Sequence, residues 1–346
     1  MRGVGIGGYE PVRIQSMASS PTTDVPATLE QIKRLESAGC ELVRLAVPDK
    51  RAVQAFAEIR KNTSLPLIAD IHFDYRLALQ VLEVGADKIR LNPGNIGGPE
   101  RTLQVAREAA SRGVPIRVGI NSGSVEEDLL VKHGGPVPEA LVESALRQLE
   151  LLAPVSDLQL VLSLKASDVW TTIQAYRSIS QQTDWPLHIG VTEAGTPFTG
   201  TVRSSVGIGA LLAEGIGDTL RVSLTGDVTE EVRVAWEILR SLGLRRRGVE
   251  LISCPTCGRT EVDLLRIALQ VEEALKEIQE PLRVAVMGCA VNGPGEARGA
   301  DVGVACGNGS GLIFRQGQIL RKVPEEKIVE ELLAEIQLYL TELETH

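Results

Sequence analysis

Lys88-Ile89-Arg90-Leu91-Asn92 is a short β-rich run in which an arginine stands between aliphatic residues and a polar residue closes the run. In an extended strand, alternation puts Arg90 on one face and its aliphatic neighbours on the other. Working outward, the same arrangement recurs in Val43-Arg44-Leu45, Ile116-Arg117-Val118 and Leu220-Arg221-Val222. These lie in four of eight β-rich runs: Val12–Ser16, Glu41–Leu45, Leu67–Asp70, Lys88–Asn92, Pro115–Gly119, Gln159–Lys165, Leu187–Thr192 and Thr219–Ser223. A helix-compatible segment follows each run, such as the amphipathic Ala27–Leu35, which Gly39 stops. One gap is longer, between the fifth and sixth runs, where Asn121–Ser124 and His133–Pro136 predict an extended loop. Eight β-α steps predict an α/β fold, a (β/α)8 TIM barrel over residues 1–245, with its active site at the C-terminal ends of the strands.

Helices cover the outside of such a barrel, so Arg44, Arg90, Arg117 and Arg221 are expected to point into the lumen near its mouth. The other strand ends are also polar: Asp70 and His72, Asn92, Asn121, Ser163 and Lys165, Thr192 and Glu193, and Ser223. Cations clustered in a lumen are costly unless compensated. Structural pairing with Asp70 and Glu193 is one resolution. The strand-end carboxylates are too few for four arginines, which favours a polyanionic ligand, a diphosphate above all. His72 is either a site residue or a satisfied structural histidine, and Glu193 either a general acid or an arginine partner.

After Gly248 the pattern changes, and residues 246–346 form a second, smaller α+β unit. Its expected elements are strands Val249–Ser253, Leu282–Met287, Asp301–Ala305 and Gly311–Phe314, a long helix Glu261–Glu280 and a closing helix over 324–344. Ile328, Leu332, Ile336 and Leu340 share one face of that last helix. Cys254, Cys257 and Cys289 fall in loops just past strand ends, where a scaffold can aim ligands. A thiolate trio suits zinc or an iron–sulfur cluster. Structural zinc closes with four Cys or His ligands, and none of His72, His133, His188 and His346 lies in this region. A cluster with one iron held by a weaker ligand fits better.

The composition agrees with an intracellular enzyme. A net charge of −9 argues against non-specific nucleic-acid binding, and no apolar run approaches the length of a membrane span. Five cysteines without a disulfide framework, and no secretory leader at the start, point to the cytoplasm. Gly3–Gly8 matches the dinucleotide-binding glycine string but lacks the strand that must precede it, so a glycine-rich hairpin is expected there. Arg245-Arg246-Arg247 is expected to be a solvated linker, with a partner-docking patch as the second reading. Cys40 is expected to be a packed thiol.

The cysteine runs Ser253-Cys254-Pro255-Thr256-Cys257-Gly258-Arg259-Thr260 and Met287-Gly288-Cys289-Ala290-Val291-Asn292-Gly293-Pro294-Gly295-Glu296-Ala297 closely resemble those of the 4-hydroxy-3-methylbut-2-enyl diphosphate synthases of the methylerythritol phosphate pathway. The likeness continues through Gln15–Met17, Ala69–Phe73, Arg90–Gly97, Gly119–Ser124, Ser163–Ser167 and Thr192–Gly195, in order along nearly the whole chain. It implies a 4Fe-4S cluster on Cys254, Cys257 and Cys289, with Glu296 as an exchangeable fourth ligand and Cys306 as the rival. It implies that Arg44, Arg90, Arg117, Arg221, Lys165 and Ser223 hold the diphosphate of 2-C-methyl-D-erythritol 2,4-cyclodiphosphate. Asp70, His72, Asn121 and Asn292 would position the substrate, and Glu193 would donate a proton. The implied reaction is a two-electron reductive ring opening and dehydration, fed by ferredoxin or flavodoxin. The small unit resembles the cluster domains of sulfite and nitrite reductases. A homodimer is implied, one subunit's barrel facing the other's cluster domain. The alternative is a non-redox phosphosugar-type barrel enzyme with a structural zinc site.

Overall fold

The structure is a computed structural model that describes residues 1–92, 96–276, 278–289 and 299–344. It divides into two compact units, Met1–Arg245 and Arg246–His346. In the first, eight parallel strands are β1 (Arg13–Met17), β2 (Leu42–Ala46), β3 (Leu67–Ile71), β4 (Lys88–Leu91), β5 (Ile116–Asn121), β6 (Leu160–Lys165), β7 (His188–Ile189) and β8 (Thr219–Leu220). They run in the order β6-β5-β4-β3-β2-β1-β8-β7, and a parallel bridge between Leu162 and Leu187 joins the two edges into a barrel.

The helices of this unit are α1 (Val25–Ser37), α2 (Lys50–Lys61), α3 (Tyr75–Glu83), α4 (Pro99–Ser111), α5 (Glu127–His133), α6 (Pro138–Leu152), α7 (Val169–Ser180), α8 (Pro197–Ala213) and α9 (Val228–Ser241). Asp24, Asp49, Asp74, Asp168 and Asp227 each begin one of them by accepting a backbone N–H from the first turn. That is the cap expected where a strand's exit loop turns into a helix. The core lies between strands and helices, with Phe56, Ile59, Leu67, Ile89, Leu162 and Ile208 fully buried.

Four expectations change. β7 and β8 are each two residues long, because the chain leaves the ladder at Gly190, where a Cβ would stand 2.4 Å from the Arg221 carbonyl oxygen. The long gap is not all loop: a 3-10 turn (Ser122–Ser124) and α5 occupy it. Gly3–Gly8 forms no hairpin; it bends through two turns, closed by Val4 N–H on the Met1 carbonyl and Glu10 N–H on the Gly7 carbonyl. Arg245 is not a solvated linker residue. It donates to the Val12 carbonyl at 2.9 Å and to Glu41 at 2.6 Å, and its guanidinium lies 4.5 Å from the centre of the Trp236 ring.

The second unit has a five-stranded mixed sheet of β9 (Val249–Ser253), β10 (Leu282–Met287), β11 (Val302–Gly307), β12 (Ser310–Arg315) and β13 (Gln318–Pro324), ordered β13-β12-β11-β10-β9. β9, β10 and β11 are parallel and the last two strands antiparallel. Two helices, α10 (Leu264–Leu275) and α11 (Ile328–Glu344), cover one face. Ile328, Leu332, Ile336 and Leu340 are all buried there. β13 was not foreseen, and Pro324 ends that strand instead of opening the helix. α10 is shorter than the expected Glu261–Glu280: Asp263 caps its start, and it ends at Leu275.

Candidate active site

Strand register assembles the barrel mouth. Asp70, Arg90 and Arg117 stand side by side on β3, β4 and β5. With Met17, Arg44, His72, Asn121, Ser163, Lys165, Val191, Thr192, Arg221 and Ser223 they enclose a cavity of about 290 Å³. Nine expected site residues therefore meet in one place: Arg44, Asp70, His72, Arg90, Arg117, Asn121, Lys165, Arg221 and Ser223. Asn92 is buried but not part of the wall.

Two glycines make the space. A Cβ on Gly119 would lie 2.9 Å from Arg90 Nε. One on Gly190 would lie 2.8 Å from Lys165 Nζ, besides striking the Arg221 carbonyl. The cations thus sit where neighbouring strands present no side chain.

Among the described residues Asp70 is the one acid in the wall. Its carboxylate meets Arg90 Nη1 at 3.3 Å, His72 Nε2 at 3.2 Å and Arg44 Nε at 3.8 Å. Burial alone would raise its pKa, but Arg44, His72 and Arg90 outweigh it and hold the carboxyl well below the usual range. Arg44 also sets Nη2 2.8 Å from the Met17 sulfur.

Arg221 has a partner that strand-end reading missed. Glu231 on α9, 3% exposed, meets its Nη2 at 3.2 Å and also accepts from Ser16 Oγ and the Leu224 N–H. The sequence carries a signal for it: Glu231 shares the buried helical face of Val228, Val232 and Ala235, and a carboxylate there needs a cation.

Among the described residues Arg117 has no carboxylate partner. It is 2% exposed, donates to Gln15 Oε1 at 3.3 Å, and its Nε is buried without a hydrogen-bond partner. Burial and then the charges of Arg44 and Arg90 press against its charged form, yet a guanidinium keeps its proton. Lys165 is pushed well below its ordinary pKa by burial and by Arg117, Arg221, Arg44 and Arg90. Five basic side chains face one carboxylate in the wall and one behind it. The surplus positive charge is what a small polyanion would neutralise.

Glu193 is placed differently. It follows Thr192 but is exposed, is not part of the cavity wall, and takes a left-handed backbone with φ of 52°. Among the described residues it has no ion pair, so it is not the arginine partner considered above. A non-glycine residue held at positive φ costs about 1–2 kcal/mol, a strain often kept at functional positions.

In the second unit, Cys254 follows β9 and Cys289 lies just past β10, so these thiols leave neighbouring parallel strands at the same edge. The Gly288 N–H donates to Cys254 Sγ at 3.2 Å. Cys257 begins a tight turn closed by Thr260. A hydrogen bond from the Arg259 N–H, partly offset by desolvation and helped by Thr260, lowers its thiol pKa. Among the described residues no three His, Cys, Asp or Glu side chains are gathered closely enough to hold a metal ion. Glu296 and Asn292 lie outside the described residues. The donor chemistry suits a soft metal group: two thiols at one sheet edge, one meeting a backbone N–H, and a third poised toward thiolate. Cys306 differs. It is fully buried in the core, and burial first, then Glu325 and Cys254, pushes its thiol up to about 12. Cys40 is likewise a packed thiol, pushed up to about 12 by burial. All five cysteines are unpaired.

Fold and site together define a TIM-barrel enzyme for a small anionic substrate, joined to a cysteine-bearing α+β domain. The GcpE TIM-barrel domain model matches residues 1–236, and the GcpE protein C-terminal domain model matches residues 250–338. The chain belongs to the GcpE family. Curated relatives named 4-hydroxy-3-methylbut-2-en-1-yl diphosphate synthase (flavodoxin) are similar over nearly their whole length. The one from Caldanaerobacter subterraneus subsp. tengcongensis is 55% identical, over 97% of this chain and 95% of its own. Those from Geobacillus kaustophilus and Geobacter sulfurreducens are each 56% identical, over 96% and 98% of this chain and 88% and 96% of their own.

Proposed function

We propose that the chain converts 2-C-methyl-D-erythritol 2,4-cyclodiphosphate into 4-hydroxy-3-methylbut-2-enyl diphosphate, as an oxidoreductase of isoprenoid-precursor synthesis. The observation that carries this is the cation surplus around the barrel cavity, in a chain whose relatives are named for making that diphosphate. The zinc alternative has no support among those relatives. Two electrons enter, two carbon–oxygen bonds break, a carbon–carbon double bond forms, and the lost hydroxyl leaves as water after protonation.

In this reading Arg44, Arg90, Arg117, Lys165, Arg221 and Ser223 hold the two phosphoryl groups throughout. One broken bond frees a phosphate oxygen, and the preorganised cations stabilise the charge developing on it. Asp70 keeps Arg44, Arg90 and His72 aimed. Asn121 positions the carbon skeleton from the end of β5, and Asn292 shares that role in the proposal. Glu193 supplies the proton for the departing hydroxyl.

Cys254, Cys257 and Cys289, with Glu296, would hold a 4Fe-4S cluster. Such a cluster supplies electrons one at a time and an iron with an exchangeable oxygen ligand. The relatives' name makes flavodoxin the proposed donor. A homodimer and a cytoplasmic setting complete the proposal. Among the described residues, no helix is long and apolar enough to cross a membrane.

The experiment is anaerobic turnover. Reconstituted protein given reduced flavodoxin and the cyclodiphosphate should form 4-hydroxy-3-methylbut-2-enyl diphosphate, followed by phosphorus NMR. A reconstituted protein that binds the substrate but consumes no electrons would refute the redox assignment.

A further inference from the structure

Beneath the cavity lies a layer that the reaction as described does not use. Lys88 opens β4 and is completely buried, and its Nζ has no hydrogen-bond partner among the described residues. Spacing puts it on the same lumen-facing side as Arg90, one step deeper. Its neighbours in this layer are equally unsatisfied: Gln15 Nε2, Arg117 Nε and His188 Nε2 are buried without partners.

Among the described residues, the charged groups that bear on Lys88 are all cationic or neutral. Arg117 on β5 and Arg44 on β2 repel it, and His188 on β7 belongs to the same field. On β3 its register partner is Ile68, while Asp70 lies one step nearer the mouth and is already engaged with Arg44, Arg90 and His72. Asp87, next in sequence, is turned to Arg60 and the Leu67 N–H. Among the described residues Lys88 therefore has no carboxylate to support an ammonium, and burial and Arg117 push it well below its ordinary pKa. Arg117 cannot give up its proton, and His188 starts far less basic, held by Thr219 at 2.8 Å. Lys88 is the lumen-floor group whose charge can adjust.

We propose that Lys88 supports anion binding from this deeper layer: it is an uncharged amine in the free barrel and takes up a proton from solvent when a polyanion fills the cavity above it. No bond of the ligand changes; one N–H bond forms at Nζ. Arg117 links the layers, since it lines the cavity and also belongs to the floor. An anion that neutralises Arg117 and Arg44 removes their repulsion of Lys88 and adds an attraction of its own, which works against the burial that disfavours the ammonium. The inference rests on the cavity being the cyclodiphosphate site.

The test is calorimetry on oxidised, full-length holoprotein, titrated with the cyclodiphosphate near neutral pH in two buffers of different ionisation enthalpy. Each phosphoryl group of this cyclic diester has one strongly acidic oxygen, so the ligand itself does not titrate there. About one proton should be taken up per ligand bound. Because the ligand raises the amine's pKa, affinity should fall as pH rises, by up to about tenfold per unit. Lys88→Met should abolish both the uptake and the pH dependence. Equal heats in the two buffers for the unaltered protein would overturn the inference, whether or not the variant folds. Uptake that persists in Lys88→Met would also overturn it, moving the proton to Lys165 or His188. No binding heat in any buffer would instead bring down the reading of the cavity, and the inference with it.

Discussion

Replacing Arg117 by Met separates a ligand-binding arginine from a structural one. The side chain is 2% exposed, has no carboxylate partner among the described residues and stands in the field of Arg44 and Arg90. Its one hydrogen bond among the described residues, to Gln15 Oε1, is 3.3 Å long. Methionine keeps the length and apolar stem while removing the charge. Losing that bond and leaving Gln15 Oε1 unpaired costs about 1–3 kcal/mol. Exchanging buried ionic groups for apolar ones of similar volume is neutral to about 1–4 kcal/mol stabilising. The free protein should therefore stay within about 3 kcal/mol of its present stability, in either direction. A structural buried ion pair broken at one partner would instead cost about 3–5 kcal/mol.

Binding should move the other way. A desolvated charge-assisted contact is lost and one phosphoryl oxygen goes unpaired, worth about 2–5 kcal/mol, so the cyclodiphosphate Kd should rise at least about 30-fold. The assay is thermal unfolding with and without ligand, where each kcal/mol moves Tm by about 2–4 °C in a domain of this size. Calorimetry gives Kd directly. Arg117→Met with a Tm several degrees lower and an unchanged Kd would return this arginine to a structural role and refute the charge-surplus argument.

Three further outcomes follow from the same geometry. Serine at Cys254, Cys257 or Cys289 should abolish iron binding after reconstitution, whereas Cys306→Ala should keep the full iron content; iron analysis beside the visible spectrum checks both. Gly190→Ala should destabilise the barrel by about 1–3 kcal/mol through overpacking and weaken cyclodiphosphate binding, because the new methyl meets the Arg221 carbonyl and Lys165 Nζ; denaturant unfolding and calorimetry test it. Asp70 has a depressed pKa, so its stabilising contribution is complete above its unfolded value of about 3.9 and fades as pH falls through the lower native value. Asp70→Asn should lower stability near neutral pH and flatten the acid limb of the stability curve, a comparison read from urea unfolding between pH 7 and about 3.

Alternation made most of the barrel legible. An arginine flanked by aliphatics in equivalent places on four strands has few ways to be buried, and lumen-facing is the one a helix-covered barrel permits. The nine expected site residues in the cavity wall sit on barrel strands or just past their ends, where position along the chain fixes position in space. What escaped notice came from elsewhere. Glu231 reaches Arg221 from a helix, and Met17 meets Arg44 from the neighbouring strand, so both depend on how one element packs against another and not on the pattern within either. β13 was hidden because only Val323 among Gln318–Pro324 is buried, which leaves an edge strand almost no hydrophobic period. Arg245 looked like part of a solvated run, yet its guanidinium is captured by Glu41 and the Trp236 ring. A run of like charges says nothing about which member finds a partner.

The barrel's charge also bears on the direction of the reaction. Ring opening gives the ligand a further negative charge, because a phosphodiester oxygen becomes a terminal one. A cavity matched to the cyclic substrate would then repel or weakly hold what it makes. A cavity with cations to spare favours the more charged state and lowers the barrier on the way to it. The same surplus would slow release of the open diphosphate. Product affinity should accordingly exceed substrate affinity, and neutralising Arg117 should narrow the gap by weakening the product more. Competition between the two diphosphates for oxidised protein measures that ratio. A substrate that binds more tightly than the product would show that the extra charge serves only to hold the substrate in place.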